Sequence, residues 1–88
     1  PENLDAVYHL AIVENGLGKF EHAKDLYEKI LILNPNHAQS HHNLATLLLQ
    51  MKQPELALMH YEKAVQLQPD NTTAKHMIAA LKGQTLTE

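Results

Sequence analysis

The sequence predicts an all-α fold, a solenoid of antiparallel helix hairpins with five helices, and three observations predict it. The turn clusters Asn34-Pro35-Asn36-His37 and Gln68-Pro69-Asp70-Asn71 place their prolines 34 residues apart, a period typical of helical repeats. Laying residues 4–37 over 38–71 without a gap gives nine identities: Leu10/Leu44, Ala11/Ala45, Glu21/Glu55, Ala23/Ala57, Tyr27/Tyr61, Glu28/Glu62, Lys29/Lys63, Leu33/Leu67 and Pro35/Pro69. Between the turns, apolar residues recur at helical spacing, and no stretch alternates as a strand would.

Each element has its own local cause. Leu4, Val7, Leu10 and Ala11 make the first helical face, and Asn3 stands where a side chain can cap it. Asn15-Gly16-Leu17-Gly18 breaks that helix, because glycine is costly inside a helix and suited to left-handed turns. Phe20, Ala23, Leu26, Tyr27, Ile30 and Leu31 form the face of a second helix, which must end before Pro35. The second unit repeats the plan with Leu44, Ala45, Leu47 and Leu48, then a turn at Lys52-Gln53. Pro54 follows at a first helical position, where proline is tolerated best. Leu58, Tyr61, Ala64, Val65 and Leu67 complete the fourth face. Asp70 or Asn71 can cap a shorter fifth helix over 72–82, with Gly83 as its stop and 83–88 as a mobile tail.

Composition narrows the function. Eighty-eight residues make one domain with a thin core. Seven lysines, no arginine and ten acids leave a net charge of -3, against a nucleic-acid partner that demands a basic stripe. No apolar run approaches the roughly 20 residues that cross a bilayer, so no membrane partner is expected. The absence of cysteine removes disulfides, thiolate metal sites and cysteine nucleophiles. The chain opens at Pro1 without a charged n-region or an apolar h-region, which reads as a piece of a longer chain in a cytoplasmic setting.

The repeat offsets resemble the tetratricopeptide repeat family, whose pattern runs W-x₂-L-G-x₂-Y, A-x₃-F and P over 34 residues. Leu10-Ala11 and Leu44-Ala45 match the L-G pair, and Ala23-x₃-Tyr27 and Ala57-x₃-Tyr61 match A-x₃-F. Pro35 and Pro69 match the closing proline. The tryptophan site holds Val7 and His41, and the tyrosine site holds Glu14 and Leu48. The resemblance implies a right-handed superhelix, with repeats at 4–37 and 38–71 and a capping helix at 72–82. Alanine at 11, 23, 45 and 57 lets helix backbones approach closely. Because one hairpin cannot cover its own apolar face, the face of residues 4–14 is expected to be exposed and open to self-association.

The same resemblance implies binding of a peptide in a groove lined by the first helix of each pair. Its positions fall on Asp5, Tyr8, His9, Ile12 and Asn15, on Gln39, His42, Asn43, Thr46 and Leu49, and on Thr73, His76, Met77 and Ala80. None is a lysine or arginine, whereas the second helices carry most of the charge. Co-chaperone members that grip a terminal carboxylate use cations at positions held here by Tyr8, Thr73 and Met77, so that grip is not expected. Asn43 can offer donor and acceptor to a peptide backbone, as in the asparagine ladder of O-linked N-acetylglucosamine transferase. His9 fills the equivalent slot in the first repeat, so no ladder forms, and Asn43 can equally meet solvent or a neighbouring helix.

Seven histidines invite a metal. His37 and His41 have chelating i, i+4 spacing, yet His41 stands at the inward tryptophan position. Adjacent His41 and His42 point about 100° apart. His9, His42 and His76 lie on helices spaced about 8–10 Å apart, too far to share an ion without convergence. No cofactor or metal is expected. Protonation near pH 6 would make the groove cationic and its binding pH-sensitive.

Tyr27, Tyr61 and Phe20 are expected in the core. No glycine-rich phosphate loop, nucleophile elbow or HExxH occurs, so the chain is expected to be non-catalytic. The expected function is a protein-interaction module with a neutral His/Asn-lined groove, for a protein or peptide partner. The alternatives are self-association through the first helix, or an accessory repeat region of a larger enzyme such as a methyltransferase or glycosyltransferase. The stretch 74–83 is similar to the closing helix of repeats that precede a methyltransferase domain in some bacterial proteins.

Overall fold

The computed structural model describes residues 3–86. Five α-helices follow one another, α1 (Leu4–Gly16), α2 (Phe20–Leu33), α3 (Ala38–Gln50), α4 (Pro54–Leu67) and α5 (Thr72–Leu86), and no strand occurs among the described residues. Each helix packs on the next in sequence, and the stack extends over 46 × 27 × 18 Å. This is the elongated shape of a helical-repeat solenoid, in which contacts are chiefly with sequence neighbours.

Local chemistry sets the helix ends. The Asn3 side chain accepts from the Ala6 N–H at 3.2 Å, and Asn71 accepts from the Ala74 N–H at 3.0 Å, satisfying first-turn donors that have no helical partner. His37 does the same for α3, its Nδ1 accepting from the Ser40 N–H at 3.2 Å. Pro54 opens α4 at the expected first position. Two ends differ from expectation. The first helix runs through Gly16, and the chain reverses at Gly18, where φ is +81°. The fifth helix continues past Gly83 to Leu86, because one glycine costs a helix only about 1 kcal/mol and no proline follows; residues 87–88 of the expected tail lie outside the described residues.

The core is a seam between hairpins. Ala11, Ala23, Tyr27 and Ile30 of the first hairpin meet Leu44, Ala45, Leu47, Leu48, Ala57 and Tyr61 of the second, all buried, and Ala74 of α5 joins them. The repeated alanines are fully enclosed, as close backbone approach requires. At the outer end, Leu10 and Val13 are 44% and 54% exposed, as expected of a face that another hairpin would cover. Glu14, at the tyrosine site, meets His22 at 3.1 Å and Lys19 at 3.9 Å.

Candidate functional site

The groove positions fall on successive first helices, α1, α3 and α5, at the spacing of the repeat. Asp5, His9, Ile12, Gln39, Thr46, Thr73, His76 and Ala80 are exposed, and Tyr8, Asn15, His42, Asn43, Leu49 and Met77 are half-buried. Met77 and Leu49 also pack against the core.

Hydrogen bonds knit this face across the repeats. Asn43 Nδ2 donates to the Tyr8 hydroxyl at 2.9 Å and joins α3 to α1. Asn71 Nδ2 donates to His42 Nδ1 at 2.9 Å and joins the turn before α5 to α3. The donor that Asn43 was expected to offer a peptide is therefore partly committed within the chain. Thr46 donates to the His42 carbonyl at 3.3 Å, and the Tyr61 hydroxyl lies 2.8 Å from the same Thr46 oxygen, completing a relay from phenol to hydroxyl to carbonyl. The His9 ring instead turns to its own helix, with Nδ1 2.7 Å from the Asp5 carbonyl.

Between α1 and α3 lies a concavity of about 230 Å³ lined by Ile12, Asn15, Tyr27, Asn43 and Thr46. Four of these are predicted groove positions. The fifth, Tyr27, belongs to the second helix and was expected only in the core. It is buried, and it forms part of the groove floor. The sequence signal that could have found it is a pairing, since the Tyr of each repeat sits beside the ninth position of the same repeat. Burial pushes the Tyr27 phenol up from its ordinary pKa, the Asn43 side chain opposes this, and Tyr8 adds to it. Burial also lowers the His42 pKa.

His41 and His60 do structural work. His41 is buried at the tryptophan site, as expected, with Nε2 2.8 Å from the Pro35 carbonyl and Nδ1 3.0 Å from His60 Nδ1. The ring centroids are 5.3 Å apart, farther than the nitrogens by close to two ring radii, so the two nitrogens point head-on at each other. That geometry suits one shared hydrogen bond; ligation of one ion would need the two lone pairs to converge instead. Among the described residues no three His, Asp or Glu side chains come together to hold a metal, and no helix is long and apolar enough to cross a membrane.

The comparisons agree with this architecture. A family model described as tetratricopeptide repeat matches residues 3–70. The crystal structure of MamA superposes with a TM-score of 0.89 at 22% identity, covering 96% of this chain and 50% of that one. The MamA RS-1 ArsTM double mutant superposes with a TM-score of 0.84 at 27% identity, covering 92% of this chain and 46% of that one. The chain thus spans about half the length of these solved structures. No curated protein matches its sequence.

Proposed function

Because the chain belongs to the tetratricopeptide repeat family, whose repeats are generally protein–protein interaction modules, we propose that it binds a peptide segment of a protein partner along α1, α3 and α5. The observation that carries this reading is the concavity between α1 and α3, whose walls include Ile12, Asn15, Asn43 and Thr46 and no charged side chain. Recognition there rests on shape, apolar contact and neutral hydrogen bonds, with the inter-repeat bonds of Tyr8 and His42 holding the helices in register. Affinity therefore changes little with salt.

The test is affinity capture of partners by the chain and by an Ile12→Lys, Gln39→Lys variant, with helicity compared by circular dichroism. Both positions are exposed, so the variant fills the groove with charge and leaves the core intact. Partners retained by the chain and lost by the variant support the groove. Equal capture by both overturns it.

A second reading, self-association, is favoured by the apolar surface of the first hairpin. Leu10, Val13 and Leu17 on its α1 side are 44%, 54% and 64% exposed, and Ile32 and Leu33 at the end of α2 are 79% and 54% exposed. Isolated exposed apolar residues are ordinary, whereas Leu10, Val13 and Leu17, at i, i+3 and i+7, line up along one side of the helix and its end. Sedimentation at increasing concentration tests it: a mass that rises for the chain and stays monomeric for Leu10→Glu, Val13→Glu supports the reading.

A further inference from the structure

The first helices of the two repeats each hold a ring at a groove position with one of its polar atoms already occupied. On α3, Asn71 Nδ2 donates to His42 Nδ1 at 2.9 Å. Which end of that amide meets the ring is fixed from the other side, because Asn71 Oδ1 caps α5 by accepting from the Ala74 N–H at 3.0 Å. An imidazole nitrogen that accepts is bare, so the neutral ring carries its one proton on Nε2. Burial lowers the His42 pKa, which favours that neutral form. His42 is half-buried, and among the described residues nothing bonds its Nε2. On α1, the Tyr8 hydroxyl accepts from Asn43 Nδ2 at 2.9 Å, which leaves its own proton to give.

Tyr8 and His42 are equivalent, 34 residues apart. In both cases an asparagine further along the chain takes the acceptor atom of the ring, so both rings meet a ligand as donors. His9, next to Tyr8, is set the other way. Its Nδ1 lies 2.7 Å from the Asp5 carbonyl, which can only accept, so Nδ1 carries the proton and Nε2 is bare. Equivalent positions of successive repeats face whatever repeats along a ligand, and the main chain is the feature every peptide repeats. A peptide unit also offers both groups needed here, a carbonyl for the donors and an N–H for His9. A carboxylate would accept as well, but no lysine or arginine stands at the groove positions to offset its charge.

Resting on the groove reading above, we propose that the groove reads the main chain of the bound segment: Tyr8 and His42 donate to two of its carbonyl oxygens, and Asn71 is the positioning residue that makes His42 a donor. His9 Nε2 accepts one main-chain N–H beside Tyr8.

The experiment selects a phage-displayed library of random 12-residue peptides on the full chain and measures the winners as synthetic peptides at pH 8.5, above the ordinary histidine range. Asn71→Asp keeps the cap, since aspartate caps as well as asparagine. Its carboxylate can only accept, so the neutral His42 ring must move its proton to Nδ1 and present a bare Nε2. Nitrogen-15 shifts of the His42 ring are expected to show Nε2 protonated in the chain and Nδ1 protonated in the variant. Nδ1 protonated in the chain overturns the proposal. Winners should bind Asn71→Asp about tenfold more weakly and His42→Phe about fivefold more weakly, the scale of one hydrogen bond. At one peptide position a thioamide, a poorer acceptor than an amide, should weaken binding to the chain about fivefold and to His42→Phe by less than about twofold. If only a side-chain truncation of the peptide is coupled to His42 in this way, the main-chain reading falls. Peptides that Ile12→Lys, Gln39→Lys loses but that bind Asn71→Asp and His42→Phe as tightly as the chain overturn the inference and leave the groove standing. Recovery of no peptide that the Lys variant loses overturns both.

Discussion

Leu10 and Leu44 hold the same place in two hairpins of one frame, yet Leu10 is 44% exposed and Leu44 is 1% exposed. The same holds for Val13, 54% exposed, and its equivalent Leu47, fully buried. The difference lies in what precedes each hairpin: α3 has α2 to pack against, and no described element takes that place beside α1. In a solenoid the contribution of a side chain is thus set by its neighbour as much as by its own helix. The largest predicted effect follows. Leu44→Ala should destabilise the chain by about 2–5 kcal/mol, the usual cost of emptying a buried leucine site, and Leu10→Ala by about 1 kcal/mol or less. Urea unfolding of both variants measures the gap, and equal losses would mean that α1 is covered after all.

A second contrast concerns acid. Where the first hairpin has Val7 and Leu26, the second has His41 and His60 in the head-on pair. The Pro35 carbonyl can only accept, so His41 carries its proton on Nε2 and leaves Nδ1 bare, and His60 donates from Nδ1 into it. No carboxylate bonds either ring among the described residues. Burial and the nearby His41 accordingly lower the His60 pKa, and burial lowers that of His42.

Lowered histidine pKa values mean that the unfolded chain binds more protons below its own pKa near 6.5, so stability is full above that pH and is lost as pH falls through it. Stability should therefore be lower at pH 5 than at pH 7.5. Replacing the pair with the first hairpin's own residues, His41→Val and His60→Leu, should flatten the dependence between pH 7.5 and 5 to the part left by His42. Thermal melts across that range decide it; an unchanged slope would remove the pair from the explanation.

These contrasts mark how far the sequence could be read. The helices, their register and the inward turn of His41 follow from period and spacing, because each depends on residues within one repeat. The groove residues follow from the family's spacing in the same way. What escaped was pairwise. His60 meets His41 from 19 positions away, and Tyr8 meets Asn43 from 35. Tyr27 looked like plain core because a tyrosine at that offset packs its ring there, and its place on the groove floor depends on Asn43 in the next repeat. Gly83 looked like a stop because glycine is weak in helices, but nothing downstream enforced the ending.

The tyrosines give a smaller contrast that requires no ligand. Tyr61→Phe removes a made hydrogen bond and strands Thr46, and should cost about 1 kcal/mol. Tyr27→Phe removes a hydroxyl whose side-chain partner is the Asn43 amide, with no relay behind it, and should cost less, about 0.5 kcal/mol. Chemical denaturation of the two variants side by side is sufficient. A Tyr27→Phe loss as large as that of Tyr61→Phe would show that the Asn43 contact is worth as much as the relay.

A last contrast is in the two interhelical turns. Gly18 has φ +81°, and its equivalent Lys52 has φ +63°, so both turns require the left-handed region although only one has the residue suited to it. A β-carbon at Gly18 would meet nothing within 4 Å, which isolates the backbone from any steric clash. Gly18→Ala should therefore cost about 1–2 kcal/mol through conformation alone. Lys52→Gly relieves the same strain but gives the unfolded chain more freedom, worth about 0.4–1 kcal/mol in the opposite sense. The two contributions nearly offset each other, so Lys52→Gly should move stability by about 0.5 kcal/mol or less. A gain much larger than that, measured by urea unfolding beside Gly18→Ala, would mean that the second turn stores strain that the left-handed residue alone does not explain.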